Sequence, residues 1–164
     1  YHKDQFNFFN LLPKNISKNL EVRLAQNDYN YKLKSEWNKK APNIKIIDSN
    51  IKIKNLYSNY RIFIGTYNAT NFLELLFYNI PSIIFWNPKH SETNIRSKEF
   101  FQLLKESNIF HESPESAALF LTKIYNDIDQ WWYSYKTQNA RNIFCNQYAF
   151  VPKNPINKIS NLVF

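Results

Sequence analysis

The chain is 164 residues long, 44% apolar and 18% aromatic, enough for one domain whose core is built largely from its 14 Phe, 11 Tyr and 4 Trp. Twenty-one Lys and Arg against 13 Asp and Glu give a formal charge of +8, which favours anionic partners. One glycine rules out the P-loop and the Gly-x-Gly-x-x-Gly fingerprint, one cysteine excludes an internal disulfide, and three scattered histidines (His2, His90, His111) form no metal constellation.

His2–Leu12 places Phe6, Phe9 and Leu12 at helical spacing, and Pro13 ends that helix. Leu20, Val22 and Leu24 alternate across Asn19–Leu24, the pattern of a first strand, with Arg23 and Asp28 at or just beyond its carboxyl end. Ligands of open α/β sheets gather at that edge, and a guanidinium makes paired hydrogen bonds to phosphate. Arg23 is therefore a candidate anion contact, with an arginine simply facing solvent as the evenly weighted alternative. Tyr31–Lys40 reads as a basic helix turned inward through Leu33 and Trp37. Ile44–Ile47 is a second strand and Ile51–Ser58 a short helix.

The stretch Arg61–Trp86 reads as strand, tight turn, helix, tight turn, strand. Arg61–Ile64 is a short apolar run closed by Gly65, expected to turn the chain sharply into a helix with the φ freedom that only glycine has. Thr66, Asn68, Thr70 and Asn71 put small polar groups around the helix start. They suit helix caps, and equally an anion held at a helix N-terminus. Phe72, Leu75 and Leu76 form its apolar face, Asn79 can end it in the left-handed conformation, and Pro81 forbids its continuation. Ser82–Trp86 resumes as a buried strand, completing a βαβ unit.

Asn87-Pro88-Lys89-His90-Ser91-Glu92 is a polar loop at the same edge, where Asn87, Lys89 and His90 are candidates for phosphate or a sugar carboxylate. Ile95–Glu106 is an amphipathic helix, and Ile109–His111 a short strand. Ser113 and Pro114 open a helix buried through Ala117, Leu121, Ile124 and Tyr125. Trp131 and Trp132 either stack on a base or, more ordinarily, clamp the last helix, Thr137–Tyr148. Strands alternating with helices of these lengths predict a parallel, doubly wound sheet. The densest lysines, Lys32 to Lys54, are expected to be mainly a solvated face, with nucleotide-sugars or an anionic bilayer as the partners such a face would attract. No nucleic-acid motif accompanies them.

Phe72-Leu-Glu74 through Asn79-Ile-Pro81 resembles the donor-binding segment in the C-terminal half of GT-B glycosyltransferases, with Asn79 where the wider pattern has glycine. The ordered set Gly65–Glu74, Phe85-Trp86-Asn87-Pro88, Trp131-Trp132 and Phe144–Ala149 is similar to transferases of bacterial surface-carbohydrate biosynthesis loci. The resemblance runs from about Leu20 to Ala149, but the proline and histidine usual between Arg23 and Asp28 are absent.

The resemblance implies a Rossmann-like three-layer domain over residues 1–150, the donor half of a GT-B fold, with 151–164 as a tail that contacts a missing N-terminal domain. It implies transfer of a sugar from a nucleotide-activated donor, a CMP-linked acidic sugar being one candidate, in surface polysaccharide synthesis. Glu74 would bond the ribose; Arg23, Gly65, Thr66, Asn68, Thr70, Asn71, Asn87, Lys89 and His90 would meet the rest of the donor. The acceptor would be a glycan or a lipid-linked glycan. No cofactor, metal or nucleic acid is expected. The expected location is cytoplasmic, with peripheral contact to the inner face of the membrane as an option. A non-catalytic binding or scaffold domain and a CDP-polyol phosphotransferase are the competing readings.

Overall fold

Apolar runs of only three or four residues, each stopped by a turn former, give short strands linked by helices. A computed structural model describes residues 2–25, 31–89 and 94–149. Five strands are present among them: β1 (Glu21–Arg23), β2 (Lys45–Ile47), β3 (Phe63–Gly65), β4 (Ser82–Phe85) and β5 (Phe110–His111). The helices are α1 (His2–Leu11), α2 (Lys14–Ser17), α3 (Leu33–Lys40), α4 (Asn71–Phe77), α5 (Lys98–Glu106), α6 (Pro114–Ile124), α7 (Ile128–Trp132) and α8 (Tyr135–Tyr148). Short 3-10 helices cover Ile53–Asn59 and Ile95–Ser97.

All pairings are parallel. Val22 lies opposite Ile46, Gly65 opposite Ile84, and Phe85 opposite His111. The order is β3-β4-β5 in one sheet and β1-β2 in a second. The single doubly wound sheet expected from the alternation is thus observed as two hydrogen-bonded pieces. The cause is a difference in packing. Val22 and Leu24 pack toward Phe6, Trp37 and Ala41, whereas Ile62 and Ile64 pack against the larger core around β4. A phenol–carboxylate bond, Tyr60 Oη donating to Glu21 Oε2 at 2.6 Å, spans β1 and the approach to β3.

Period-2 alternation on β4 builds two cores, one on each face. Ile83 and Phe85 enter a cluster with Phe8 of α1, Leu12 just after it, and Ala117 and Leu121 of α6. Ile84 and Trp86 enter another with Phe72, Leu104, Trp132 and Phe144 from α4, α5, α7 and α8. Helices therefore cover both faces of the three-stranded sheet.

Both buried strands are entered through the same device. α4 ends at Asn79 (φ 56°) and α5 at Asn108 (φ 59°), each in the left-handed region. Ile80 N donates to Leu75 O, and Asn79 N to Leu76 O; Ile109 N donates to Leu104 O, and Asn108 N to Lys105 O. These paired bonds satisfy carbonyls that the helix end would leave open. Trp132 then fixes Asn79: its indole Nε1 donates to Asn79 O at 3.1 Å and Oδ1 at 2.9 Å, and Gln138 Nε2 donates to the same Oδ1. Arg141 Nη1 donates to Leu76 O at 2.7 Å. The tryptophan pair is a clamp: Trp131 Nε1 likewise donates to Ser107 O at the end of α5.

Gly65 differs from the expectation. It is the last residue of β3, and no glycine has positive φ. Its requirement is steric, because an added Cβ would stand 2.9 Å from Ile84 Cγ2, its register neighbour.

Candidate functional site

A cavity of about 410 Å³ lies where the two sheets part, lined along the length of both β1 and β3. Arg23, Gly65, Thr66 and Asn71 line it together with apolar residues that include Leu20, Ile64, Phe72 and Tyr125. This volume falls within the range of small-molecule sites, which are mostly apolar with a few polar groups at one side. A break in sheet order is also where open α/β folds place ligands.

The turn from β3 into α4 contributes Thr66 and Asn71 to the cavity's polar lining. α4 does not begin with a side-chain cap: Thr70 has helical dihedrals and makes no capping bond. The capping role expected of Thr70 therefore does not hold. The backbone supplies the closure, with Phe72 N donating to Ala69 O and Leu73 N to Thr70 O. The amides of Phe72 and Leu73, second and third in the helix, are thereby engaged. From just before the helix to its first residue, the amides of Asn68, Ala69, Thr70 and Asn71 donate to no other group among the described residues. Successive N–H groups left open in a turn form an anion-binding concavity. Thr66 is held in place, its Oγ1 accepting from Gln5 Nε2 of α1 at 2.7 Å.

The other candidate residues are dispersed. Arg23 reaches the cavity wall, but its guanidinium donates to Ser49 O (2.9 Å) and Ile51 O (3.1 and 3.3 Å), so it pins the loop after β2. Glu74 lies a turn along α4, exposed, where its Oε2 accepts from Tyr57 Oη at 3.3 Å. Burial, and then the Glu74 carboxylate, push the Tyr57 phenol up to about 12. Asn87 Oδ1 accepts from the Lys89 amide at 2.9 Å, which folds the start of the loop after β4. Lys89 itself is exposed. His90 and Asp28 lie outside the described residues, as does the segment 151–164.

Other groups of the site were not marked by the sequence. Gln5 and Thr66 are 61 positions apart, and no periodicity links them. Tyr60 and Glu21 join β1 to the lead into β3. The bond from Tyr60 holds the Glu21 carboxyl below its usual range, while burial and then Glu21 push the Tyr60 phenol up to about 12. Trp37 lines the cavity, is 2% exposed, and has no partner for its indole N–H among the described residues.

No reactive thiol or imidazole stands at this edge among the described residues. Cys145 is buried, and burial raises its thiol above the ordinary range. His111 uses both nitrogens, Nε2 donating to Asn108 O at 3.1 Å and Nδ1 accepting from Ser116 Oγ at 2.8 Å. Burial lowers its pKa, in keeping with a neutral ring. No group of three or more His, Cys, Asp and Glu could hold a metal among the described residues. The arrangement suits binding an anion at the turn, with an apolar or aromatic group in the cavity beside it.

A sequence profile of the LIC12162 family of transferases matches residues 1–163. The chain belongs to that family. It is therefore a transferase. No curated protein and no solved structure matches the chain. No helix of the described residues is long and apolar enough to cross a membrane.

Proposed function

We propose that this transferase moves a sugar from a nucleotide-activated donor, and that the Thr66–Asn71 turn holds the donor's phosphate. The supporting observation is the run of open amides from Asn68 to Asn71, two of whose residues, Ala69 and Asn71, line the cavity between β1 and β3. The two-faced parallel βαβ unit is compatible with the framework of a GT-B donor half, the reading to which the Glu74–Pro81 segment also belongs. In this reading the nucleoside lies in the cavity and Glu74 turns from Tyr57 to the ribose. Arg23, Asn87, Lys89 and His90 border the sugar.

In the reaction the bond between the sugar's anomeric carbon and the donor phosphate breaks. A bond to the acceptor hydroxyl forms, and that hydroxyl's proton passes to a base outside this turn. Negative charge grows on the leaving phosphate, so fixed N–H donors stabilise the transition state more than the ground state. A CMP-linked acidic sugar is the proposed donor, a glycan or lipid-linked glycan the acceptor, and surface polysaccharide synthesis in a bacterial cytoplasm the setting. A further N-terminal domain would complete the acceptor side.

Calorimetry with CMP, CDP, UDP and GDP tests this. One nucleotide should bind saturably, and Thr70→Asp should weaken it by about tenfold or more through charge repulsion at the turn. The same change should leave the fold intact or firmer, because aspartate favours helix starts. Absence of binding by all four nucleotides, or an unchanged affinity in Thr70→Asp, overturns the proposal.

A further inference from the structure

The chain's positive charge is concentrated at one end of the fold. Residues 31–60 hold seven lysines against only Glu36 and Asp48, whereas residues 94–149 hold six cations and six carboxylates. The lysine-rich span is α3, β2 and the following 3-10 helix. β2 pairs only with β1 among the described residues, so this span lies at the border of the two-stranded sheet. α3 buries Leu33 and Trp37 and leaves Lys34 and Lys39 exposed. Lys52 and Lys54 are exposed beyond β2, and Lys45 stands out from the strand itself. Lys40 is exposed as well, with its ammonium resting 4.0 Å over the Phe6 ring.

Two ion pairs temper this charge: Lys45 with Glu21 at 3.0 Å, and Lys39 with Glu36 at 3.6 Å. Lys34, Lys52 and Lys54 have no carboxylate in ion-pair range among the described residues. Apolar groups are exposed within the same span, with Tyr31 at 61% and Ile51 at 39%.

We infer that this border docks on the surface of an anionic bilayer. A diffuse anionic plane is matched by mobile lysine ammoniums, each a point charge, with an aromatic and an aliphatic side chain to enter the headgroup layer. Nucleic acid fits the border less well. The span contains no arginine, and the neighbouring Arg23 is already bonded to carbonyls of Ser49 and Ile51. This inference stands apart from the donor site, whose turn uses none of these lysines.

The test is co-sedimentation of the full chain with vesicles of phosphatidylcholine, alone and mixed with phosphatidylglycerol. The chain should bind only the mixed vesicles, and high salt should release it. K34Q/K39Q/K52Q/K54Q should lose binding by about tenfold or more, since each surface lysine contributes appreciably to such attraction. K98Q/K105Q/K123Q/K136Q removes the same charge from the other end and should bind as the parent does. K52Q/K54Q leaves α3 untouched and should show part of the loss, which keeps the test open if the fourfold variant does not fold. Equal binding to both vesicle types, equal loss in the two fourfold variants, or tighter binding to RNA or duplex DNA than to the mixed vesicles would overturn the inference.

Discussion

The two sheets differ in how they are held. The three-stranded sheet carries an aromatic core on each face, and its helix ends are clamped by indole N–H bonds to Asn79 and Ser107. The two-stranded sheet rests on a smaller cluster of Phe6, Trp37 and Ala41, is tied to its neighbour by the Tyr60–Glu21 bond, and has its own loop after β2 pinned by Arg23. The first is a framework clamped at its helix ends, in which the buried Trp86 indole N–H is left without a partner among the described residues. The second is a border with a cavity beside it and an orphan indole N–H in its wall.

Two tryptophans break or sharpen this contrast most strongly. Trp132 is fully buried with its N–H used twice, and Trp37 is 2% exposed with its N–H unused. Trp132→Phe should cost about 2–4 kcal/mol, from lost volume and a lost bond to Asn79. Trp37→Phe removes an unsatisfied donor along with similar volume, so it should cost about 1 kcal/mol or less. Urea unfolding of both variants checks the ordering, and equal losses would erase the distinction between framework and border.

Gly65→Ala probes the junction. Its Cβ must push against the γ-methyl of fully buried Ile84, and overpacking of this kind costs about 1–3 kcal/mol. Joint replacement with Ile84→Val removes the Cδ1 methyl but not Cγ2, and should restore little. Thermal unfolding of the single and double variants reads this.

His111 gives the framework a pH dependence of known sign. Its folded pKa lies below the ordinary 6.5, so the unfolded chain binds the proton more readily. The contribution is fully present above about 6.5 and is lost as pH falls through that value toward the folded pKa. His111→Gln should flatten the change in melting temperature between mildly alkaline and mildly acidic buffer. A modest effect is expected at the border: Tyr60→Phe should cost about 0.5–1.5 kcal/mol and release the Glu21 carboxyl toward its usual pKa, measurable by NMR titration.

Much of the framework could be read from the residues. Asn79 and Pro81 marked the end of α4, Ser113 and Pro114 the start of α6, and the unbroken apolar run Ser82–Trp86 a strand buried on both faces. These signals are local, fixed by backbone sterics and by missing or surplus N–H groups. The role of Gly65 was not readable in the same way. Its position at a strand end was clear, but the reason is contact with Ile84 across the ladder. The border was less legible still. Gln5 reaching Thr66, Tyr60 reaching Glu21, and Arg23 closing the loop at Ser49 are contacts between distant positions with no periodic trace. The parting of the sheet follows from which cluster each strand's side chains join, and a strand of three residues does not declare that.

The central claim concerns the amides of Asn68 to Asn71. Amide-resolved NMR of the chain titrated with CMP, CDP, UDP and GDP addresses it directly. One nucleotide should shift these four resonances saturably and together, with the resonances of α5 and α8 unmoved. If all four nucleotides leave the Asn68–Asn71 amides in place, or shift only residues elsewhere, the turn is not the phosphate site.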